Sequence, residues 1–485
     1  MTFAVIRGII KYILKNKENS MKYNLPIRIY DSDGVTGAES LLRRKEMQIG
    51  LVERKFAEID SGGYIILDFG VETRGGVRIL NYKGGADTTA RIRFGESVAE
   101  CCADIGEKNA TNDHSPRDFE LFLPKYSDQT VGGTGFRFVR IDILSGKAQL
   151  KNVYAASEIL TKKPIYTYEG DDALVREIFE VAKRTVDLCS YGNKIWDGIK
   201  RDRLIWIGDM HPETIALATL YGRIGCVEHS LDLAKKEAPL PNWMNKKPSY
   251  SMWWVIILAD YYEKTGCDDY LKKQADYLEG LTKQLNSHVD ENGDSDYTEY
   301  FADWPTYKTA AAVEGVHAIN ILAAKKASSL LSILGRDTSA AEELYEKLMR
   351  REIVSYGKKQ VIGLKYYATG KISDEEKSIL VEGGARGMST FMSYYILSAI
   401  ASFDKARAIE IMKEYYGGML SRGATSFWED FDVEWLEGSG RIDELPAPDQ
   451  KDIHGDYGAF CYEGFRHSLC HGWSAGVIPF IKENT

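Results

Sequence analysis

Asp171-Asp172-Ala173-Leu174-Val175-Arg176-Glu177-Ile178-Phe179-Glu180-Val181-Ala182-Lys183-Arg184-Thr185-Val186-Asp187-Leu188 is the stretch at which the chain changes character. Leu174, Ile178, Val181, Thr185 and Leu188 fall at i, i+4, i+7, i+11 and i+14, one face of a helix, with Asp171 or Asp172 placed to cap it. Upstream the period is two. In Ala90-Arg91-Ile92-Arg93-Phe94 apolar residues alternate with arginines, so one face turns inward and the other to water. Strands are predicted over residues 64–69, 77–82, 89–94 and 136–144, punctuated by Gly62-Gly63, Gly75-Gly76, Gly84-Gly85 and Gly132-Gly133. Short strands at that spacing predict a β-sandwich over residues 21–160.

Downstream, residues 161–485 read as a succession of helices, at 212–222, 252–265, 270–288, 309–334, 338–351, 374–383, 387–402 and 405–416, with weaker ones added. Short turns such as Thr265-Gly266 and Leu334-Gly335 imply antiparallel neighbours. No repeat of fixed period is present, which argues against a TPR or ankyrin array. A toroid of about twelve helices in irregular hairpins around a central cavity fits better.

The composition is that of an ordinary globular protein: 485 residues, 44% hydrophobic, 27% charged, with 62 basic against 71 acidic side chains for a net charge of −9. The mild acidity and the lack of a basic block argue against a nucleic-acid partner. The longest uncharged apolar stretch, 387–403, is short of a bilayer span and carries several hydroxyls, so it reads as a buried helix. Residues 1–20 form an apolar, basic tail, amphipathic or preceding a natural start at Met21. The seven cysteines include the adjacent Cys101 and Cys102 and no C-x-x-C pair, so neither a disulfide framework nor a metal site is expected, and a reducing cytoplasm fits. No cofactor is indicated, and a homo-oligomer is compatible with the sequence.

All nine tryptophans lie at or after Trp196, and aromatic faces stack on sugar rings as well as filling cores. Trp253, in an apolar run, reads as core, whereas Trp206, Trp304, Trp428 and Trp473 sit beside acids, glycine or histidine. Residues 196–213 interleave Asp197, Asp202 and Asp209 with Lys200, Arg201 and Arg203 between Trp196 and Trp206, ahead of His211-Pro212-Glu213. Charge pairing and capping by Asp209 are an equally good account of that segment. Phe427-Trp428-Glu429-Asp430 and Cys470-His471-Gly472-Trp473 form two further clusters, and Asp303-Trp304 a fourth pair. Glycoside hydrolysis needs two carboxyls across one bond. The first two clusters supply one each.

At these residues the sequence resembles the inverting α-L-rhamnosidases of glycoside hydrolase family 78. The family's segment Arg-Asp-Glu-Arg-Leu-Gly-Trp-Thr-Gly-Asp is similar to Arg201–Asp209, one residue shorter here. Phe69-Gly70-Val71-Glu72, the Phe94-Gly95-Glu96-Ser97 segment and Gly135–Val139 resemble its β-sandwich. The resemblance implies an (α/α)6 barrel behind that sandwich and hydrolysis of terminal α-L-rhamnosides. It makes Asp202, standing where the family has glutamate, the general acid, with Glu213 as the alternative, and Glu429 the general base. Asp197, Arg201, Trp206, Asp209, Asp303, Trp304, Trp428, His471 and Trp473 become substrate-binding residues. A chain without the family's further β domains implies a more open cavity mouth. Another sugar specificity on the same barrel, a sugar-binding protein without catalysis, and a lyase using His211 and Arg201 are the competing readings.

Overall fold

The computed structural model describes residues 19–52, 54–84, 87–460 and 462–485. The expected tail lies almost wholly outside these residues, as does the second glycine of the turn expected at Gly84-Gly85.

Seven antiparallel strands come first: β1 (Asn19–Asn24), β2 (Arg28–Thr36), β3 (Ala57–Lys83), β4 (Thr89–Gly95), β5 (Asp118–Phe122), β6 (Ser127–Ser145) and β7 (Lys147–Leu160). They pair in the order β1-β7-β3-β6-β4-β5, with β2 also on β3. Strand β3 bends so that its parts face one another across a core that includes Ile65, Leu67, Ile79, Ile92, Phe94, Phe136, Ile141 and Leu150. Gly75 permits this bend: its φ is +146°, and a Cβ there would stand 2.1 Å from the carbonyl oxygen of Ala156. The four predicted strands fall in β3, β4 and β6. The arginine face of β4 is less wet than expected. Helix α1 (Val98–Cys102) lies over it, and Arg93, 6% exposed, donates to the carbonyl of Cys102 and pairs with Asp142 at 3.0 Å.

After the strands, twelve α-helices follow among the described residues: α2 (Ala173–Cys189), α3 (Met210–Tyr221), α4 (Gly225–Glu237), α5 (Pro248–Thr265), α6 (Asp268–Ser287), α7 (Ala310–Ile333), α8 (Ser339–Leu348), α9 (Lys359–Thr369), α10 (Asp374–Val381), α11 (Ser393–Ala401), α12 (Lys405–Ser421) and α13 (Val477–Asn484). They alternate between two rings. Helices α3, α5, α7, α9, α11 and α13 pack each on the next, and α13 closes onto α3. The inner helices are enclosed on all sides: every residue of α3 and the first fourteen of α5 are buried. The outer helices bury one face, as α6 does with Tyr270, Leu271, Gln274, Ala275, Leu278, Leu281, Thr282 and Leu285. This is the (α/α)6 barrel. Asp172 caps α2 by accepting from the amides of Leu174 and Val175, each at 3.1 Å.

The helix expected over residues 387–402 begins only at Ser393. Ser389 and Thr390 instead spend their hydroxyls on the Asp303 carboxylate and the Glu429 carbonyl, a local competition that keeps the backbone out of the helix and in the cleft described below. The described residues contain no helix long and apolar enough to cross a membrane.

Candidate active site

The loop between α2 and α3 opens with a two-residue hairpin, Ser190–Tyr191 on Lys194–Ile195, and then enters the barrel mouth as an irregular segment held by side-chain and backbone bonds together. Asp197 Oδ1 accepts from the Leu204 amide at 2.9 Å, and the Asp197 carbonyl accepts from Gly472 at 2.7 Å. Asp202 and Arg203 both adopt left-handed backbone, with φ of 52° and 54°. Such pairs are strained for residues with a Cβ and cluster at functional sites.

Residues 427–430 and 467–471 run alongside each other: Glu429 N donates to Ser468 O at 3.0 Å, and His471 N to Phe427 O at 3.0 Å. Trp428 and Glu429 point to opposite sides of this segment. Glu429 faces the cleft. Its Oε1 accepts from Arg201 and lies 3.5 Å from His471 Nε2, while its Oε2 accepts from the Ser468 amide at 3.2 Å. Trp428 faces the other way, 0% exposed and edge-on to Phe431. The expectation that it binds substrate is corrected by this alternation, which buries the ring in the barrel core.

Arg201 joins the two carboxylates singled out from the sequence. Its guanidinium lies 3.4 Å from Asp202 Oδ1 at one nitrogen and bonds Glu429 at the other. Trp206 Nε1 donates to Asp202 Oδ2 at 3.2 Å. His114 reaches from the sandwich to within 3.4 Å of Asp202 Oδ1. Asp202 keeps 13% of its side-chain surface open. Glu213, the alternative acid, is 0% exposed, with both oxygens unpartnered beneath Gly472, and burial together with Asp209 and Asp197 pushes its carboxyl well above the ordinary range. A proton donor must reach its acceptor, so the geometry favours Asp202.

Below these groups, His471 Nε2 lies 3.8 Å from Asp197 and 4.0 Å from Asp209. Burial, with neighbouring carboxylates second, raises both acids well above their usual range. Burial and then the Arg201 charge hold His471 well below its usual value. Asp197, Asp209 and His471 are within reach of a single cation, and so are Glu96, Glu100 and His454. In the second group the Lys200 ammonium already stands among the carboxylates, 3.1 Å from Glu96 and 3.2 Å from Glu100.

A narrow cleft, with about 10 Å³ of water-accessible space, runs from Glu429 past Asp303, Asp430, Ser389 and Trp473 to Trp304, Phe460 and Tyr462. Burial lifts Asp303 and Asp430 each to about 7. Trp473 donates from Nε1 to the Glu429 carbonyl at 2.9 Å and stacks on Phe391. The expected open mouth is instead covered. The short hairpin of β8 (Gly458–Ala459) and β9 (Tyr462–Glu463), numbering only the strands that bear on the site, lays Phe460 on Trp304 and the Tyr462 ring over the Arg201 guanidinium, 3.4 Å from its centroid. Phe460, Tyr462, Asp430 and His114 were not singled out from the sequence. Asp430 adjoins Glu429, which was a usable signal, and the glycines and aromatics of residues 455–464 were another.

His211 is core, bonded to Tyr395 Oη at 2.6 Å and Asp260 at 2.7 Å and stacked on Trp253, which is also core as expected. A lyase base at His211 is thereby removed.

The chain joins a β-sandwich to an (α/α)6 barrel, with acids and aromatics gathered at one barrel mouth. Compared with solved structures, the chain has the fold of the α-L-rhamnosidases. It matches a rhamnosidase from Klebsiella oxytoca solved with rhamnose bound, at TM-score 0.72 and 18% identity over 98% of both chains. It also matches a family 78 rhamnosidase of Bacillus sp. GL1 (TM-score 0.68, 17% identity, 92% of this chain and 48% of that one). An α-L-rhamnosidase from Dictyoglumus thermophilum is similar as well (0.67, 15%, 95% and 51%). The chain thus spans nearly all of the first relative and about half of the other two. No sequence-family profile and no curated protein sequence matches it.

Proposed function

We propose that this protein is an inverting glycoside hydrolase that removes terminal α-L-rhamnosyl groups, with the barrel of residues 161–485 as its catalytic unit and the sandwich of residues 21–160 supporting it. One observation carries the reading: Asp202 and Glu429, from distant segments, lie at the two ends of the Arg201 guanidinium in the mouth of a barrel of the rhamnosidase fold. Asp202 protonates the glycosidic oxygen as its bond to the sugar breaks. Water adds to the anomeric carbon from the opposite face, and Glu429 takes its proton. The products are the free alcohol and β-L-rhamnose. An inverting pair stands about 6.5–9.5 Å apart to admit that water, and a guanidinium held between the carboxylates is compatible with it.

Asp197, Asp209 and His471 bind sugar hydroxyls in this scheme, joined by Arg201 and Asp303, and Trp206, Trp304 and Trp473 form walls. His471 Nδ1 and Arg201 Nε, buried without a hydrogen-bond partner, support that role. Cys101, Cys102, Cys189, Cys267 and Cys470 form no disulfide among the described residues, which supports a reducing, cytoplasmic setting. Release of p-nitrophenol from the α-L-rhamnoside, set against a panel of other p-nitrophenyl glycosides, tests the reading. Asp202→Asn and Glu429→Gln should each lose turnover by about 10²–10⁴-fold with the fold intact. Preference for another glycoside would reassign the sugar. No turnover together with binding of L-rhamnose would make the chain a sugar-binding protein.

A further inference from the structure

Of the buried carboxylates that the mechanism leaves unused, Glu96 reaches furthest toward the site. Glu96 lies in the turn between β4 and α1 of the sandwich, 0% exposed, and its side chain crosses into the barrel. Its Oε2 accepts from the Leu469 amide at 2.5 Å and stands 3.1 Å from Lys200 Nζ. Its Oε1 accepts from the Ser468 hydroxyl at 3.2 Å.

Both contacts lead to Glu429. Ser468 presents its amide to Glu429 Oε2 and its carbonyl to the Glu429 amide. Lys200 precedes Arg201, whose guanidinium holds Glu429 Oε1. One carboxylate of the sandwich therefore ties down the two segments that grip the two oxygens of the proposed base. Lys200 does not depend on Glu96 to be satisfied. It also contacts Glu100 at 3.2 Å and donates to the carbonyls of Phe465 at 2.8 Å and His467. The Leu469 amide, by contrast, donates to Glu96, and the Ser468 hydroxyl is shared between Glu96 and the Cys470 carbonyl at 3.1 Å. What Glu96 supplies is thus reach and acceptor geometry more than charge.

We propose that Glu96 is a positioning residue for Glu429, acting through Ser468 and Leu469 on one side and Lys200–Arg201 on the other, so that the sandwich is part of the catalytic apparatus. The inference rests on the hydrolase reading above. Two variants of the full chain separate geometry from charge. Glu96→Gln keeps the length of the side chain and one acceptor oxygen. Glu96→Asp keeps the charge but withdraws it by about 1.5 Å, one C–C bond.

Positioning predicts that Glu96→Gln retains kcat on p-nitrophenyl α-L-rhamnopyranoside within about fivefold. It predicts that Glu96→Asp loses at least tenfold in kcat, with KM changed less than threefold and the melting temperature above the assay temperature. A role confined to neutralising Lys200 ranks the two the other way, with Glu96→Asp close to the parent and Glu96→Gln impaired. That order, or full kcat in Glu96→Asp, overturns the inference and leaves the hydrolase reading standing. If Glu96→Asp does not fold, a Glu96→Gln enzyme more than a hundredfold down in kcat overturns it equally. A parent protein that hydrolyses no α-L-rhamnoside removes the reading itself, and the inference with it.

Discussion

Replacing Gly472 by alanine puts the packing of the barrel mouth to a direct test. A Cβ at this position would stand 1.5 Å from Oε1 of Glu213, 2.5 Å from its Cδ and 2.9 Å from its Cγ. Ordinary contacts are about 3.5–4.0 Å, so the clash is some 2 Å deep. Glu213 lies on inner helix α3, in which every residue is buried, so its side chain has no solvent-filled space to swing into. The backbone of residues 471–473, at the start of a 3-10 turn over Gly472–Gly476, must yield instead. That segment carries His471 and Trp473, and its Gly472 amide is bonded to the Asp197 carbonyl at 2.7 Å. Overpacking of this kind costs about 1–3 kcal/mol, and because the displaced residues line the site, kcat should fall by at least tenfold. Truncating the obstacle should reverse the damage. In Gly472→Ala/Glu213→Ala the coupling between the two changes, measured by denaturant unfolding, should recover about 1 kcal/mol or more over the sum of the single effects. Additive effects, or a Gly472→Ala protein with the stability and activity of the parent, would refute the packing argument.

Asp303 and Asp430, held at about 7, stay protonated in the fold at pH values where the unfolded chain has ionised them. Stability from each is complete below about pH 4 and is lost as pH rises to about 7, at roughly 1.4 kcal/mol per pH unit at most. Asp303→Asn and Asp430→Asn should therefore melt higher than the parent at pH 8 and no higher at pH 4; equal gains at both would contradict the linkage. His114→Ala removes the sandwich's contact with Asp202 and should lower kcat several-fold at unchanged melting temperature, while a His114→Ala enzyme with full kcat would make that contact incidental. Tyr462→Ala strips the ring from the Arg201 guanidinium, a contact worth about 0.5–2 kcal/mol, and should lower kcat by up to about 30-fold. An unchanged kcat would reduce Tyr462 to a cover.

The architecture was legible wherever one periodicity prevailed. The shift from period two to period 3.6 near Asp171 marks the passage from strands to helices, and Asp172 is the cap. In the inner ring α3, α5, α7 and α11 were legible as long apolar runs, while α9 and α13 were not, because a helix enclosed on all sides has no polar face to mark its period. Helix α9 was missed for a related reason: it has no side-chain cap and buries Lys359 and Gln360, which read as surface residues. Helix α13 is only eight residues long and holds Pro479 in its first turn, so it shows too little period to be read. The acids and tryptophans of the cleft announced themselves by local clustering, but their orientation did not. Only the pairing of residues 427–430 with 467–471 shows that Trp428 points into the core while Glu429 points out. The contributions of His114, Glu96 and the Phe460–Tyr462 hairpin arise from contacts between segments far apart in the chain, for which spacing carries no signal.

The central claim is that Asp202 and Glu429 act on opposite faces of one glycosidic bond, and the stereochemistry of the first-formed sugar tests it most directly. Proton NMR of p-nitrophenyl α-L-rhamnopyranoside hydrolysis, followed from the first turnovers, should show β-L-rhamnose appearing first and the α anomer only by later mutarotation. α-L-Rhamnose as the initial product would mean a covalent, retaining route and would contradict the assignment of both carboxylates.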